Sequence, residues 1–195
     1  PFIARWPEKI EAGSESGELI SNIDMIATFA ALTGGKLKTG QGRDSVDILS
    51  ALIGTPAKPL RDHIVLAPSK PTHLAVRQGK WMYIGAQGSG GFTAAKRGAH
   101  AFGGPAAITY AGYKNNDIKD GKIKKDAPPA QLYDLESDPE EADNLYKAEP
   151  ELARRLTENL QEFVESRDRY ESDDLLPQPL DDEEMERLRE LGYVD

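Results

Sequence analysis

The chain of 195 residues contains no cysteine. It can therefore form neither a disulfide bond nor a thiolate zinc site, and it has no thiol nucleophile. The sequence also lacks a run of eighteen or more apolar residues, and it does not open with a basic stretch followed by an apolar one. We therefore expect no membrane-spanning helix and no signal peptide within these residues. The 38% of hydrophobic residues is enough for an ordinary packed core in one or two domains.

Basic residues are fewer than acidic ones. The formal net charge is −9, with 24 lysines and arginines against 33 aspartates and glutamates. Nine of the acidic residues lie from Asp173 onward, where only two arginines oppose them. A nucleic-acid partner is disfavoured, because no basic face would offset the repulsion of the phosphates. We predict that residues 171–195 form an acidic linker and a terminal helix.

Common catalytic signatures are missing from the chain. Gly88-Ser89-Gly90-Gly91 is not followed by Gly-Lys-Ser/Thr, so nucleotide binding is not expected, and no Gly-x-Ser-x-Gly elbow occurs. The histidines His63, His73 and His100 share no metal-ligand spacing. Paired carboxylates fall in predicted turns or at helix starts, where the helix dipole favours them. The residues alone predict a soluble α+β domain with no catalytic residue, no metal ligand and no assigned activity.

Apolar patterns predict the elements of the first sixty residues. Residues 1–6 are apolar except for Arg5 and are followed by Pro7, which predicts a strand covered on both faces. A helix is predicted between Asn22 and Gly34, apolar on two faces and therefore buried between layers. A second, shorter helix is predicted over residues 46–53, with Ser45 as its cap.

The following hundred residues predict a small antiparallel β-sheet packed with an amphipathic helix. Residues 61–67, 74–77, 80–84 and 132–135 have strand composition, and Gln78-Gly79 between two of them predicts a tight β-hairpin. Leucines at helical spacing over residues 152–164 predict the helix that docks on the sheet. Residues 85–129 form a glycine-rich insertion, within which 110–113 is predicted as a brief strand and 115–126 as a polar turn region.

Four segments, in this order, resemble the C-terminal portion of the sulfatase (arylsulfatase) family of the alkaline-phosphatase superfamily. They are PFIARWPEKIEAGSESGELISNIDMIATFAALTGG (1–35), AVRQGKWMYI (75–84), LYDLESDPEEADNL (132–145) and RLRELGYVD (187–195). The resemblance implies an α/β, alkaline-phosphatase-like sulfatase fold of which this chain is the C-terminal part. Residues 1–60 would then end the large α/β domain, 61–170 would form the C-terminal α+β subdomain, and 171–195 the acidic linker and terminal helix.

The resemblance implies hydrolysis of aryl or carbohydrate sulfate esters. In the family, a formylglycine made within a Cys/Ser-x-Pro-x-Arg motif acts beside a calcium ion. Here Ser69-Lys70-Pro71 is followed by Thr72 and His73, which breaks that motif. Formylglycine and calcium are therefore expected in a preceding part of the protein, with no cofactor in this chain, and the chain alone is expected to be inactive. Lys70, His73 and His100 are the predicted substrate-binding residues, since cations or histidines in loops suit an anionic ligand.

The expected partner is a sulfated small molecule or glycan, and the expected location of such a bacterial protein is the periplasm or the cell exterior. The apolar residues of 1–35 would be uncovered in the isolated chain, which predicts either self-association or local disorder there. Two alternatives stay open at the level of sequence. One is a fragment of a related phosphodiesterase or phosphonate hydrolase, and the other is a stand-alone binding or assembly module.

Overall fold

The computed structural model describes residues 2–38, 40–68, 71–88, 112–167, 185–187 and 189. The chain divides into two compact units, Pro1–Val164 and Glu165–Asp195. Of the second unit, the structure describes the end of one helix and the helical residues 185–187 and 189, so the predicted terminal helix lies mainly outside the described residues. Among the described residues, no helix combines the length and apolar character needed to cross a membrane.

Besides the helical residues 185–187 and 189, the described residues form three α-helices, six strands and two short 3-10 turns. The helices are α1 (Met25–Leu32), α2 (Leu49–Ile53) and α3 (Pro150–Arg167), and the 3-10 turns are Asn22–Asp24 and Pro71–His73. The strands are β1 (Ile64–Leu66), β2 (Ala75–Gln78), β3 (Trp81–Ile84), β4 (Ile118–Lys119), β5 (Lys122–Ile123) and β6 (Gln131–Asp134).

Four strands form the main sheet, in the order β1-β2-β3-β6, and every neighbouring pair is antiparallel. Gln78 pairs with Trp81, so the β2–β3 hairpin turns in two residues, and the first of them, Gly79, has φ +53°. Glycine adopts this left-handed conformation without a steric penalty from a Cβ atom. The predicted antiparallel sheet and its hairpin are confirmed.

Helix α3 covers one face of this sheet. Val76, Tyr83 and Leu132 are buried there against Ala153 and Leu156 of the helix. The strand residues alternate in direction, so these three side chains share one face, whereas the leucine spacing of α3 supplies the opposing stripe. The predicted docking of this helix on the sheet is confirmed, and it places the hydrophobic core.

Asn144 closes the free edge of β6. Its side-chain oxygen accepts hydrogen bonds from the N–H groups of Leu132 and Tyr146, both at 3.0 Å. Its amide nitrogen donates to the carbonyl of Ala130 at 3.1 Å and to Asp117 Oδ2 at 2.5 Å. Edge-strand groups that would otherwise be unpaired thereby gain partners inside the protein.

Two predictions for the first sixty residues are corrected. Residues 2–6 form no strand, and Ile3 is almost fully exposed, because no neighbouring strand among the described residues pairs with this segment. The second helix begins at Leu49 rather than at residue 46. The N–H groups of Val46 and Ile48 donate instead to the side chains of Asp24 and Thr28, both at 3.0 Å, which holds residues 46–48 in a non-helical loop.

Two further segments differ from prediction. The strand predicted over 61–67 is limited to Ile64–Leu66, because only these residues pair with β2. The polar region 115–126 contains the β4–β5 hairpin, whose turn residues Asp120 and Gly121 have φ +52° and +71°. Of the predicted strand 110–113, only residues 112 and 113 are described, and they are not in a strand.

Candidate functional site

Of the three predicted substrate-binding residues, Lys70 and His100 lie outside the described residues, and His73 ends the turn Pro71–His73. The His73 side chain is buried. Its Nε2 lies 2.7 Å from the carbonyl oxygen of Gln87, and its Nδ1 lies 3.0 Å from Thr72 Oγ1. A carbonyl oxygen only accepts hydrogen bonds, so Nε2 is the donor. Both ring nitrogens therefore have partners within the chain, which favours a structural role for His73.

Two glutamine side chains hold the loop that follows β3. Gln131 binds the loop from β6, and Gln87 reaches from the loop to the segment before β6. Gln131 Nε2 donates to the carbonyl oxygens of Ala86 and Gly88, at 2.6 and 2.8 Å. Gln87 Nε2 donates to the carbonyl oxygens of residues 127 and 128, at 3.0 and 2.8 Å. Together with the His73 contact, these bonds fix residues 86–88 against the segment that leads into β6.

The same hydrogen-bond chain continues to the acidic turn after β6. Tyr133 Oη donates to Gln131 Oε1 at 2.7 Å, and Asn115 Nδ2 donates to Tyr133 Oη at 2.9 Å and to the carbonyl of Glu141 at 2.7 Å. Burial raises the pKa of Tyr133, so its hydroxyl stays protonated and remains a donor at neutral pH. A buried polar chain whose members all have partners holds one specific arrangement of the loops.

A second buried polar group, here named the Asp24 cluster, consists of Asp24, Thr28, Ser45 and Arg61. The fully buried Asp24 carboxylate accepts from the backbone N–H of Ser21 at 2.6 Å and forms an ion pair with Arg61. Ser45 Oγ accepts from the N–H of Ala27 at 2.9 Å. These contacts fasten α1 to residues 45–48 and to Arg61. The buried charge is therefore paired, and its role is structural.

Neither cluster resembles a catalytic centre. Among the residues that the structure describes, no group of three or more histidines and carboxylates could hold a metal ion. The chain contains neither cysteine nor a Ser-x-Pro-x-Arg sequence that could supply a formylglycine. The part of the chain that the structure describes therefore does not fit the calcium ion that the resemblance implies, and the sequence does not fit the formylglycine, so we derive no chemical step through either group.

Comparison with known proteins identifies relatives over most of the chain, although no family model matches. An N-acetylgalactosamine-6-O-sulfatase of Bacteroides thetaiotaomicron is 33% identical over 161 residues, which are 83% of this chain and 26% of that protein. A Formosa agariphila ulvan-active sulfatase is 30% identical over 74% of this chain and 28% of its own length. Human arylsulfatase A is 32% identical over 80% of this chain and likewise 28% of its own length.

Solved structures of known proteins also match this chain over most of its length. A structure from a study of glycosaminoglycan metabolism by Bacteroides thetaiotaomicron has a TM-score of 0.57 and 30% identity, over 84% of this chain and 28% of that one. Another, described as a complex with its substrate D-glucosamine-2-N,6-O-disulfate, has a TM-score of 0.50 at 20% identity, a likeness of fold alone. The chain belongs to the sulfatase family, with its alkaline-phosphatase-like fold, and corresponds to a C-terminal portion. It spans about a quarter of the length of the relatives it matches.

Sequence reasoning missed both buried polar groups. The spacing of Asp24 and Thr28, four residues apart, places both side chains on one helix face and was the available signal. Gln131 and Gln87 have no comparable signal, because each binds carbonyl groups that are distant in sequence.

Proposed function

We propose that this chain is the non-catalytic C-terminal portion of a protein that hydrolyses sulfate esters. One observation carries the proposal: sulfatases align with 74–83% of the chain, yet the alignment covers only 26–28% of their own length. The described residues form a packed sheet, a docked helix and two polar clusters whose contacts hold loops and helix α1 in place. Such a portion completes and supports a site whose chemistry lies elsewhere in the protein.

The names of the same relatives support a substrate class for the whole protein within this proposal. Their names include an N-acetylgalactosamine-6-O-sulfatase and an ulvan-active sulfatase, so a carbohydrate sulfate is the first substrate to test and an aryl sulfate the second. The formylglycine and the calcium ion belong to the remaining part of the protein in this proposal. Location in the periplasm or outside the cell is part of the same proposal.

Within the whole protein, this portion is proposed to help select the substrate. The fixed loop at residues 86–88 supports this role, because hydrogen bonds from Gln131 and His73 hold its carbonyl groups in one arrangement. A rigid support limits the positions that adjacent substrate-facing groups can adopt.

The test measures release of inorganic sulfate by two preparations, the full-length protein and residues 1–195 alone. The substrates are N-acetylgalactosamine 6-sulfate and an aryl sulfate, with a phosphate diester as the third arm. We expect sulfate release from the full-length protein and none from residues 1–195. Hydrolysis of the phosphate diester without sulfate release by the full-length protein would contradict the proposal.

A further inference from the structure

The β4–β5 hairpin carries two lysines that are direct cross-strand partners. Lys119 and Lys122 pair on either side of the turn, and both residues are exposed, whereas the neighbouring pair of Ile118 and Ile123 is partly buried. Opposing residues of an antiparallel pair have Cβ atoms about 5 Å apart, and like charges at such positions destabilise the pairing. The hairpin therefore presents two cations to solvent at a cost in stability.

The positive charge extends along the segment that contains the hairpin. Residues 112–126 include five lysines and three aspartates, so the segment has a net charge of +2 in a chain whose net charge is −9. The five lysines, here named the lysine hairpin, are all exposed: Lys114, Lys119, Lys122, Lys124 and Lys125. This local basic surface differs from the expectation, based on the total charge, that the chain has no basic face.

The lysine hairpin lacks the carboxylate partners that exposed cations have elsewhere in the chain. No carboxylate in the part of the chain that the structure describes forms an ion pair with one of its lysines. Asp117 of the same segment instead accepts a hydrogen bond from Asn144 Nδ2 at 2.5 Å, and Lys124 Nζ donates to the carbonyl of Asn116 at 2.6 Å. On α3, by contrast, Arg154 lies 3.0 and 2.7 Å from two glutamate carboxylates.

Backbone hydrogen bonds hold the hairpin against the segment that follows β6. The N–H of Asn116 donates to the carbonyl of Ala142 at 2.7 Å, and the N–H of Asn144 donates to Asn116 Oδ1 at 3.0 Å. The N–H of Lys124 donates to the carbonyl of Asp117 at 2.8 Å, which continues the hairpin ladder beyond the two strands. A ligand of the lysine hairpin would therefore have to order side chains only, which lowers the entropic cost of binding.

We propose that the lysine hairpin is a binding surface for a sulfated polysaccharide chain. Lysine ammonium groups form charge-assisted hydrogen bonds with anionic oxygens, and one sulfate group between Lys119 and Lys122 would offset the repulsion between them. A polymer with repeated sulfate groups can contact several of the lysines at once, so contacts that are weak singly act together. This inference rests on the proposed function, and it deepens the substrate class from a carbohydrate sulfate to a polymeric one.

The small extent of the basic surface favours a polysaccharide over a nucleic acid. Duplex DNA carries one negative charge for about every 1.7 Å of its axis, so a long duplex would bring many phosphates toward the acidic remainder of the chain. A sulfated polysaccharide carries more widely spaced charges on a flexible chain. Five lysines are therefore a better match for a short stretch of such a polymer.

The test measures the binding of chondroitin 6-sulfate chains to the full-length protein by titration, at low and at physiological salt. Lys119→Gln combined with Lys122→Gln removes two charges from the lysine hairpin. Arg154→Gln combined with Arg155→Gln is the matched control, because it removes the same charge from exposed residues of α3. Unsulfated chondroitin and duplex DNA are the comparison probes. Urea unfolding checks that both variants fold, and loss of the like-charge pair should not lower the free energy of unfolding.

We expect the Lys119/Lys122 variant to bind chondroitin 6-sulfate about five- to tenfold more weakly than the unmodified protein at low salt. The Arg154/Arg155 variant should change this affinity by less than about twofold, since its cations already have carboxylate partners. Salt should weaken binding of the unmodified protein more than binding of the lysine variant. Unsulfated chondroitin should bind the unmodified protein more weakly than the sulfated chain does.

Equal affinity of the unmodified protein and the Lys119/Lys122 variant for chondroitin 6-sulfate would overturn the inference. An equal loss in the Arg154/Arg155 variant would also overturn it, since total charge would then explain the binding. Duplex DNA that binds more tightly than the sulfated chain, through the same two lysines, would make a nucleic acid the occupant and would equally overturn it. Sulfate release is not part of the readout, so an inactive full-length protein would contradict the proposed function and leave the binding result interpretable.

Discussion

Loss of the Asn144 side chain should destabilise the four-stranded sheet, because this side chain holds the edge of β6. Its amide group makes four hydrogen bonds, to Leu132, Tyr146, Ala130 and Asp117. Two of the partners belong to buried residues of the β6 segment, Leu132 and Ala130. In the variant Asn144→Ala, the N–H of Leu132 and the carbonyl of Ala130 lose their partners while the core around them stays closed.

The expected loss of stability in Asn144→Ala can be worked out from these two unpaired backbone groups. A buried donor or acceptor left without a partner costs about 1–3 kcal/mol. Two such groups give an expected loss of about 3 kcal/mol in the free energy of unfolding. The bonds to the more exposed partners, Tyr146 and Asp117, are not counted in this value. For a domain of this size, that loss lowers the melting temperature by roughly 6–12 °C.

The assay is urea unfolding of residues 1–195, followed by far-ultraviolet circular dichroism and by tryptophan fluorescence. Asp143→Ala is the matched control, because Asp143 is exposed and its N–H donates to Asp138 Oδ2 at 2.9 Å, a bond that alanine keeps. The control should change the free energy of unfolding by less than about 0.5 kcal/mol. Equal midpoints for Asn144→Ala and Asp143→Ala would refute the role given to the Asn144 side chain.

Three further predictions concern the core, an ion pair and a buried hydroxyl. Leu156→Ala should lower the free energy of unfolding by about 3 kcal/mol, because a fully buried side chain leaves a cavity. Val164→Ala, at an exposed position of the same helix, should cost less than about 1 kcal/mol in the same urea titration. The hydrogen bond from Lys80 lowers the pKa of Asp134, so this pair stabilises the fold above about pH 4 and the gain is lost as acid protonates the folded carboxylate. The stability difference between the unmodified chain and Lys80→Met should therefore narrow as the pH falls below about 4, and a constant difference would argue against the ion pair. Tyr133→Phe should cost about 1–2 kcal/mol at pH 7, and less above about pH 10, because burial raises the pKa of Tyr133 and the folded chain must keep the phenol protonated. Unfolding midpoints measured at both pH values check this last prediction.

Sequence patterns predicted the turns and helices that depend on residues close together along the chain. The turn at Gly79 follows from the conformation that glycine permits, and α3 follows from the spacing of its leucines. The strand predicted over residues 1–6 was wrong, because a strand exists only through pairing and its apolar composition says nothing about whether a neighbour is present. The start of α2 was misplaced for a similar reason: the side chains of Asp24 and Thr28, twenty or more positions earlier, bind the N–H groups of Val46 and Ile48 and hold this segment.

The candidate site was less predictable than the fold. His73 was chosen as a substrate-binding residue because histidine in a loop suits an anion, yet its ring lies buried between Thr72 and the carbonyl of Gln87. Nothing local to His73 indicates that contact, since Gln87 is fourteen residues away and is itself positioned by its bonds to residues 127–128. The predictions of substrate binding by Lys70, His73 and His100 all stay predictions.

The sequence by itself determined the family, through four segments in a fixed order, and the local elements, through turn chemistry and apolar spacing. Only the tertiary structure decided which side of α1 is buried and whether the His73 ring faces outward. Both depend on hydrogen bonds and an ion pair between residues that are far apart along the chain, such as Asp24 and Arg61. A helical pattern shows that a helix has two apolar faces, but the side that faces the protein is set by the polar partners that the fold brings to it.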